Sequence, residues 1–193
     1  MGKIIHLNKL KEFMKKTPVF RIKDVEIITN NKKYAYLLIH NLVKRGEIKK
    51  ITKGWYSLHD DPSVTVFCFK PSYIGLQEAL SFHGLSEQET NTVIVTTRKV
   101  RTGVRELLNS NVILHKIDQK YFFGFDYVKY NDFFIPVSDV EKTIIDLVYF
   151  NEIPDKKIIE RIRKNIDKEK LEKYLRKYPS KFRNKVKRLL YWN

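Results

Sequence analysis

Clustered carboxylates are what a metal-dependent nuclease uses to hold its cations, and the best local group is Ser138-Asp139-Val140-Glu141 followed by Asp146. The same residues have a simpler reading. Ser-x-x-Glu directly before an apolar periodic run is a capping box, in which Ser138 and Glu141 satisfy free amides at a helix start without any metal. Glu87 and Glu89 fall in a loop-like stretch with no second acidic pair at matching spacing, so both are expected at the surface. The five histidines, His6, His40, His59, His83 and His115, are scattered and form neither His-Glu-x-x-His nor an i, i+4 pair. Ser81 and His83 stand two apart on a predicted helix and face different ways, so His83 reads as a helix C-terminal residue. The glycines build neither a dinucleotide fingerprint nor a phosphate-binding loop, and no Gly-x-Ser-x-Gly occurs. The single cysteine, Cys68, excludes an internal disulfide and a multi-cysteine zinc site. No catalytic constellation, metal or cofactor is expected.

A different set of residues suits nucleic acid. Ala35, Leu38, Ile39, Leu42 and Val43 recur at i, i+3, i+4, i+7, i+8, which predicts a helix with one buried stripe, capped by Asn30 or Asn31. Its other face carries Lys33, Tyr36, Leu37, His40 and Lys44, basic and aromatic where a solvated helix mixes signs. Two helices are predicted before it, one carrying Leu7, Leu10, Phe13 and Met14, the other spanning Ile22 to Ile28 after an extended Val19-Phe20. Gly46 ends the third helix, and Ile48, Ile51, Trp55, Tyr56 and Leu58 bracket Lys49-Lys50 and Lys53-Gly54 as a two-stranded hairpin. Three short helices and a basic hairpin are the order of a winged helix-turn-helix, whose third helix fits a major groove about 12 Å wide. The expected DNA contacts are Asn31, Lys32, Lys33, Tyr36, Leu37, His40, Lys44, Lys49, Lys50, Lys53 and Trp55. Of these, Tyr36, Leu37 and His40 suit base edges, and the lysines suit phosphates.

The charge distribution agrees with a polyanion partner. The 193 residues carry a formal charge of +16, made of +9 in residues 1–60, −2 in 61–150 and +9 in 151–193. Beyond residue 60 the character changes. Strands are predicted at Val64 to Phe69, Thr92 to Thr97, Val112 to Ile117, Phe122 to Val128 and Phe133 to Val137, with helices at Leu76 to Phe82 and Val140 to Tyr149. After Asn151 to Asp155, three amphipathic helices are marked by Ile158–Ile166, Leu171–Tyr178 and Phe182–Leu190. They can pack on the middle domain, contact nucleic acid or face an acidic partner. The expected architecture is α+β, with a winged-helix domain at 1–60, a mixed α+β domain at 61–150 and a basic helical extension at 151–193. The longest apolar runs fall far short of the ~20 residues that span a bilayer, and no export signal opens the chain, so the cytoplasm is the expected compartment.

Several segments carry a resemblance. They are Lys53-Gly54-Trp55-Tyr56-Ser57-Leu58, Tyr73-Ile74-Gly75-Leu76-Gln77-Glu78-Ala79-Leu80-Ser81-Phe82-His83-Gly84-Leu85, Thr92 to Thr97, Phe122-Phe123-Gly124-Phe125, and Ile135-Pro136-Val137-Ser138-Asp139-Val140-Glu141-Lys142-Thr143-Ile144-Ile145-Asp146. In order and spacing, over residues 5–150, the chain resembles the AbiEi family, winged-helix transcriptional regulators that are the antitoxins of type IV AbiE toxin–antitoxin systems. The resemblance implies an N-terminal domain that binds operator double-stranded DNA, with inverted repeats as the expected target, and represses its own operon. It implies a C-terminal region that opposes a nucleotidyltransferase-like toxin without forming a stable complex with it. A solitary regulator without a toxin, a metal-dependent nuclease and a protein-contact module are the alternatives.

Overall fold

A computed structural model of the protein describes residues 2–87 and 91–191, with side chains for 9–87 and 91–190. The expectations placed on Glu89 and on the His6 and Leu7 side chains lie outside the described residues. The chain is a mixed α+β fold with two sheets. The first unit runs α1 (Gly2–Lys16), β1 (Phe20–Arg21), α2 (Ile22–Thr29), α3 (Lys32–Lys44), β2 (Lys49–Thr52) and β3 (Trp55–Ser57). Its three strands form an antiparallel sheet ordered β1-β3-β2. The predicted stripe Ala35, Leu38, Ile39 and Leu42 is buried against Leu10, Met14, Phe20, Val25 and Ile48, so helical periodicity here became a core.

A 3₁₀ segment, Pro62–Phe69, leads into the second unit. There follow β4 (Ser72–Ile74), α4 (Leu76–Phe82), β5 (Thr92–Thr96), β6 (Gly103–Leu107), β7 (Ser110–Lys116), a 3₁₀ turn Gln119–Tyr121, β8 (Phe125–Tyr130) and β9 (Phe133–Ser138). Helices α5 (Val140–Tyr149), α6 (Lys156–Asn165), α7 (Lys168–Leu175) and α8 (Ser180–Tyr191) complete the chain. The six strands form one mixed sheet, ordered β6-β7-β5-β4-β9-β8. Because side chains alternate across a strand, Tyr73 and Val95 face one layer while their neighbours Ile74 and Ile94 face the other. The first layer holds α5 and all three C-terminal helices, through Ile162, Leu171, Leu175, Val186 and Leu190. Of the roles open to those helices, packing on the sheet is the one seen. Val19 and Ile51 of the first unit are buried in the other layer, with Val64, Phe67 and Phe69, so the hairpin is clasped to the second unit.

Three local expectations are corrected. Val64 to Phe69 is a 3₁₀ helix and not a strand: Pro62 opens it, Asp61 Oδ1 accepts from the Ser63 amide at 2.8 Å, and residues 63–69 are buried all round. An unbroken apolar run carries no period to separate the two forms. The strand expected from Phe122 begins at Phe125, because Gly124 takes φ +72° and breaks it. A Cβ at Gly124 would meet Lys142 Cβ at 2.8 Å and Tyr174 Cε2 at 2.9 Å, so only glycine fits beneath these side chains. The α5 start is capped by Asp139 and not by Ser138, with Asp139 Oδ1 accepting from the Lys142 amide at 2.7 Å. Glu141 Oε1 instead accepts from the Asp167 amide of the α7 cap at 2.8 Å, and its other oxygen pairs with Lys170 at 3.1 Å.

The carboxylate group is therefore a buried brace. Lys142 and Asp146, one turn apart on α5, are both at 0% exposure and pair through Nζ and Oδ1. Tyr73 of the central strand donates to Asp146 Oδ2 at 2.7 Å, and Lys142 also donates to the Tyr178 hydroxyl at 3.5 Å. Burial raises the Asp146 pKa and lowers that of Lys142, while their mutual attraction opposes both shifts. Burial and the Asp146 charge together raise Tyr73 well above the usual phenol range. Around this pair Asp139 Oδ2 accepts from Tyr174 at 2.8 Å and pairs with Lys170 at 3.0 Å. Burial works to lower the Lys170 pKa, but the bonds to Asp139 and Glu141 outweigh it and hold the ammonium above the usual lysine range.

Breaking one partner leaves the other charge stranded in the core. Lys142→Met is expected to lower unfolding free energy by ~3–5 kcal/mol, and Lys142→Met combined with Asp146→Leu to recover most of that loss. Urea unfolding followed by circular dichroism measures both; equal losses in the single and double variants would contradict the brace. Burial also pushes the Cys68 thiol up to about 12. Thiol reagents at pH 8 are expected to label Cys68 only after denaturant is added.

Candidate nucleic-acid interface

The surface of the first unit is built on α3. Asn30 takes a left-handed φ of 49° and ends α2, and the extended Asn31 begins α3, so two residues turn the chain sharply between the helices. Asn31 Oδ1 accepts from the Tyr34 amide at 2.9 Å, the expected N-cap. Packing of Ala35, Leu38, Ile39 and Leu42 into the core fixes which side of α3 remains outside. That side presents Lys32, Lys33, Tyr36, Leu37, His40 and Lys44, all exposed, and α3 contains no acidic residue. Tyr36 and Leu37 are 51% and 56% exposed, a large apolar area for residues with no covering element.

The hairpin adds Lys49, Lys50 and Lys53, each exposed, with Lys53 in the turn beside Gly54. Gly54 has φ +79°, the left-handed conformation that such a turn needs. Trp55 differs from the other ten expected contact residues. It is half-buried, packed toward the second unit, and Arg21 lies over its ring at 5.3 Å. The hairpin thus has two faces, one of lysines in solvent and one of Ile51 and Trp55 toward the larger unit. Asn31 is exposed but already uses its carbonyl oxygen in the cap.

No carboxylate or histidine cluster capable of holding a metal is present among the described residues. His83 caps α4, with its Nε2 2.7 Å from the Ser138 carbonyl oxygen, and Glu87 pairs with Arg161 at 3.3 Å on the surface. Sequence spacing gave no sign of a further grouping. Lys16 and Arg21, together with Lys70 and Arg98 from two later segments, line one cleft of about 670 Å³ between the two units.

No family model matches this sequence, and no curated protein does. Among solved structures, the chain is similar in fold to the crystal structure of RV2827C protein from Mycobacterium tuberculosis. The TM-score is 0.61 at 12% identity, over 89% of this chain and 71% of that one. At that identity the likeness concerns the fold. Among the described residues, no helix is long and apolar enough to cross a membrane.

The Asn31 cap separates the support of α3 from its surface. Asn31→Ala is expected to cost ~1 kcal/mol of stability by urea unfolding, whereas Asn31→Asp should be neutral within ~0.5 kcal/mol. Equal losses in both would show that the cap does not hold α3.

Proposed function

We propose that the protein is a sequence-specific DNA-binding transcriptional repressor with a winged helix-turn-helix at its N-terminus. The observation that carries this reading is the acid-free exposed face of α3, with Tyr36, Leu37 and His40 flanked by Lys32, Lys33 and Lys44. A helix supplying hydrogen-bonding and apolar tips between cations suits a major groove, where bases present donors, acceptors and the thymine methyl. Lys49, Lys50 and Lys53 then meet flanking phosphates and release counterions. The half-buried Trp55 leaves the wing's contribution to its lysines.

The AbiEi resemblance extends this reading to an autoregulating antitoxin of an AbiE-like type IV system, opposing a nucleotidyltransferase-like toxin without a stable complex. The target is operator DNA with inverted repeats, read by two copies. A nucleotidyltransferase gene beside this one, whose toxicity is relieved by co-expression, tests the antitoxin role; unrelieved toxicity would remove it.

Gel shifts on the upstream intergenic DNA over a salt series test the DNA reading itself. Lys53→Ala should weaken binding alike on all sequences and lower the salt slope by ~1. Tyr36→Ala should reduce the preference for the operator over unrelated DNA. Binding that is absent, or insensitive to salt, would overturn the assignment.

A further inference from the structure

The order of the mixed sheet leaves β6 and β8 each with a neighbour on one side alone. β6 carries Gly103, Arg105 and Glu106 among its five residues, the make-up of an edge that resists pairing. β8 has the opposite character. Phe125, Tyr127, Val128 and Tyr130 make four of its six residues apolar or aromatic. An apolar edge with free backbone groups is a template for another strand.

The β8–β9 hairpin fixes which of those groups are free. Tyr130 and Phe133 close a two-residue turn and so exchange hydrogen bonds, and by alternation the pairs Val128–Ile135 and Asp126–Val137 do the same. Phe125, Tyr127 and Lys129 therefore turn their N–H and C=O groups away from β9, toward the open edge. Pro136 agrees with this phase, since it stands opposite Tyr127 and has no N–H to give. Among the described residues, no backbone hydrogen bond outside this ladder involves residues 125–130. Phe125, Tyr127 and Lys129 share one face of the sheet with Phe134 and Pro136. Phe125 packs against the core there, but Tyr127 and Phe134 are 62% and 57% exposed.

We propose that β8 pairs antiparallel with β8 of a second copy of this chain, joining the two six-stranded sheets into one. A two-fold axis normal to the sheet sets the outward residues of one β8 against the same residues of the other, so free N–H groups meet free carbonyls. The Tyr127 and Phe134 rings of both copies then merge into one apolar patch beside the axis. Charge favours the same place. At +16 two chains repel over much of their surface, whereas residues 125–138 hold only Asp126, Asp132 and Lys129, a net −1. The inference rests on the DNA reading for its use, because a two-fold protein matches inverted repeats, but the pairing itself is measurable without DNA.

Sedimentation velocity of the full chain without DNA is expected to show a monomer–dimer equilibrium across the micromolar range. Lys129→Pro removes an outward N–H without touching the bonds to β9, and Tyr127→Asp sets two carboxylates near the axis. Each should weaken dimerisation at least about tenfold. Circular dichroism checks that both variants fold, and amide exchange by NMR on the unaltered chain needs no substitution. The Tyr127 and Lys129 amides should exchange at least about tenfold more slowly in concentrated than in dilute samples, while the Val104 and Glu106 amides of β6 should not change. A chain that stays monomeric at sub-millimolar concentration, a dimer insensitive to both variants, or protection on β6 in place of β8 would overturn the proposal. Gel shifts keep it apart from the DNA reading: Tyr127→Asp should still bind a single half-site but lose cooperative binding to the inverted repeat. A chain that dimerises through β8 without binding DNA would remove the repressor reading and leave the pairing in place.

Discussion

The second unit is organised around a charge pair that is fully shielded from solvent. Lys142 and Asp146 are both at 0% exposure, and a buried ion is tolerated only where its partners are in place. Those partners come from separate parts of the chain: Tyr73 from the central strand, Tyr178 from beyond α7, and the aromatic ring of Phe123 at 5.2 Å from the ammonium. Meeting the hydrogen-bonding demand of one pair therefore fixes α5 on the sheet and the C-terminal helices on α5. Gly124 lets the chain pass close enough to Lys142 for this to happen. Just outside, Asp139 and Glu141 bind Lys170, and Asp139 also accepts from Tyr174, which ties the start of α5 to α7 a second time.

This brace gives the basic C-terminal region a physical role. Its apolar residues complete the core beside Tyr73, Val93 and Val95, and cations such as Lys173, Lys181, Lys185 and Arg188 are left facing outward. The first unit is attached differently, through Val19 and Ile51 on the opposite layer of the sheet. Its hairpin consequently serves both as a clasp and as a carrier of Lys49, Lys50 and Lys53. The acid-free face of α3 lies outside both cores.

Helices with a clear period were legible in the sequence. Ala35, Leu38, Ile39 and Leu42 specify the buried side of α3, and by elimination its exposed side, so ten of the eleven proposed contact residues are at the surface. Trp55 was not separable from the lysines around it, since a two-residue repeat does not say which face of a hairpin meets another unit. Val64 to Phe69 reads as a strand in the sequence yet forms a 3₁₀ helix, because burial on every side removes the period that would separate the two. In the acids at 139–146, the Ser-x-x-Glu spacing points to a cap one residue before the one that forms. Asp139 and Ser138 are both good caps, and the choice depends on Glu141 being drawn to the Asp167 amide far along the chain. β4, with only Ser72–Ile74, and the cleft cations from three separate segments left no local pattern to read.

In the proposed mode of DNA binding, α3 enters the major groove. Dimethyl sulfate footprinting on the DNA upstream of the gene tests it most directly, because the reagent methylates guanine N7 in the major groove and adenine N3 in the minor groove. With α3 in the major groove, guanine N7 is expected to be protected in short patches that recur about one helical turn apart when two copies bind. Protection confined to adenine N3, or a pattern unchanged by the protein at saturating concentration, would contradict it.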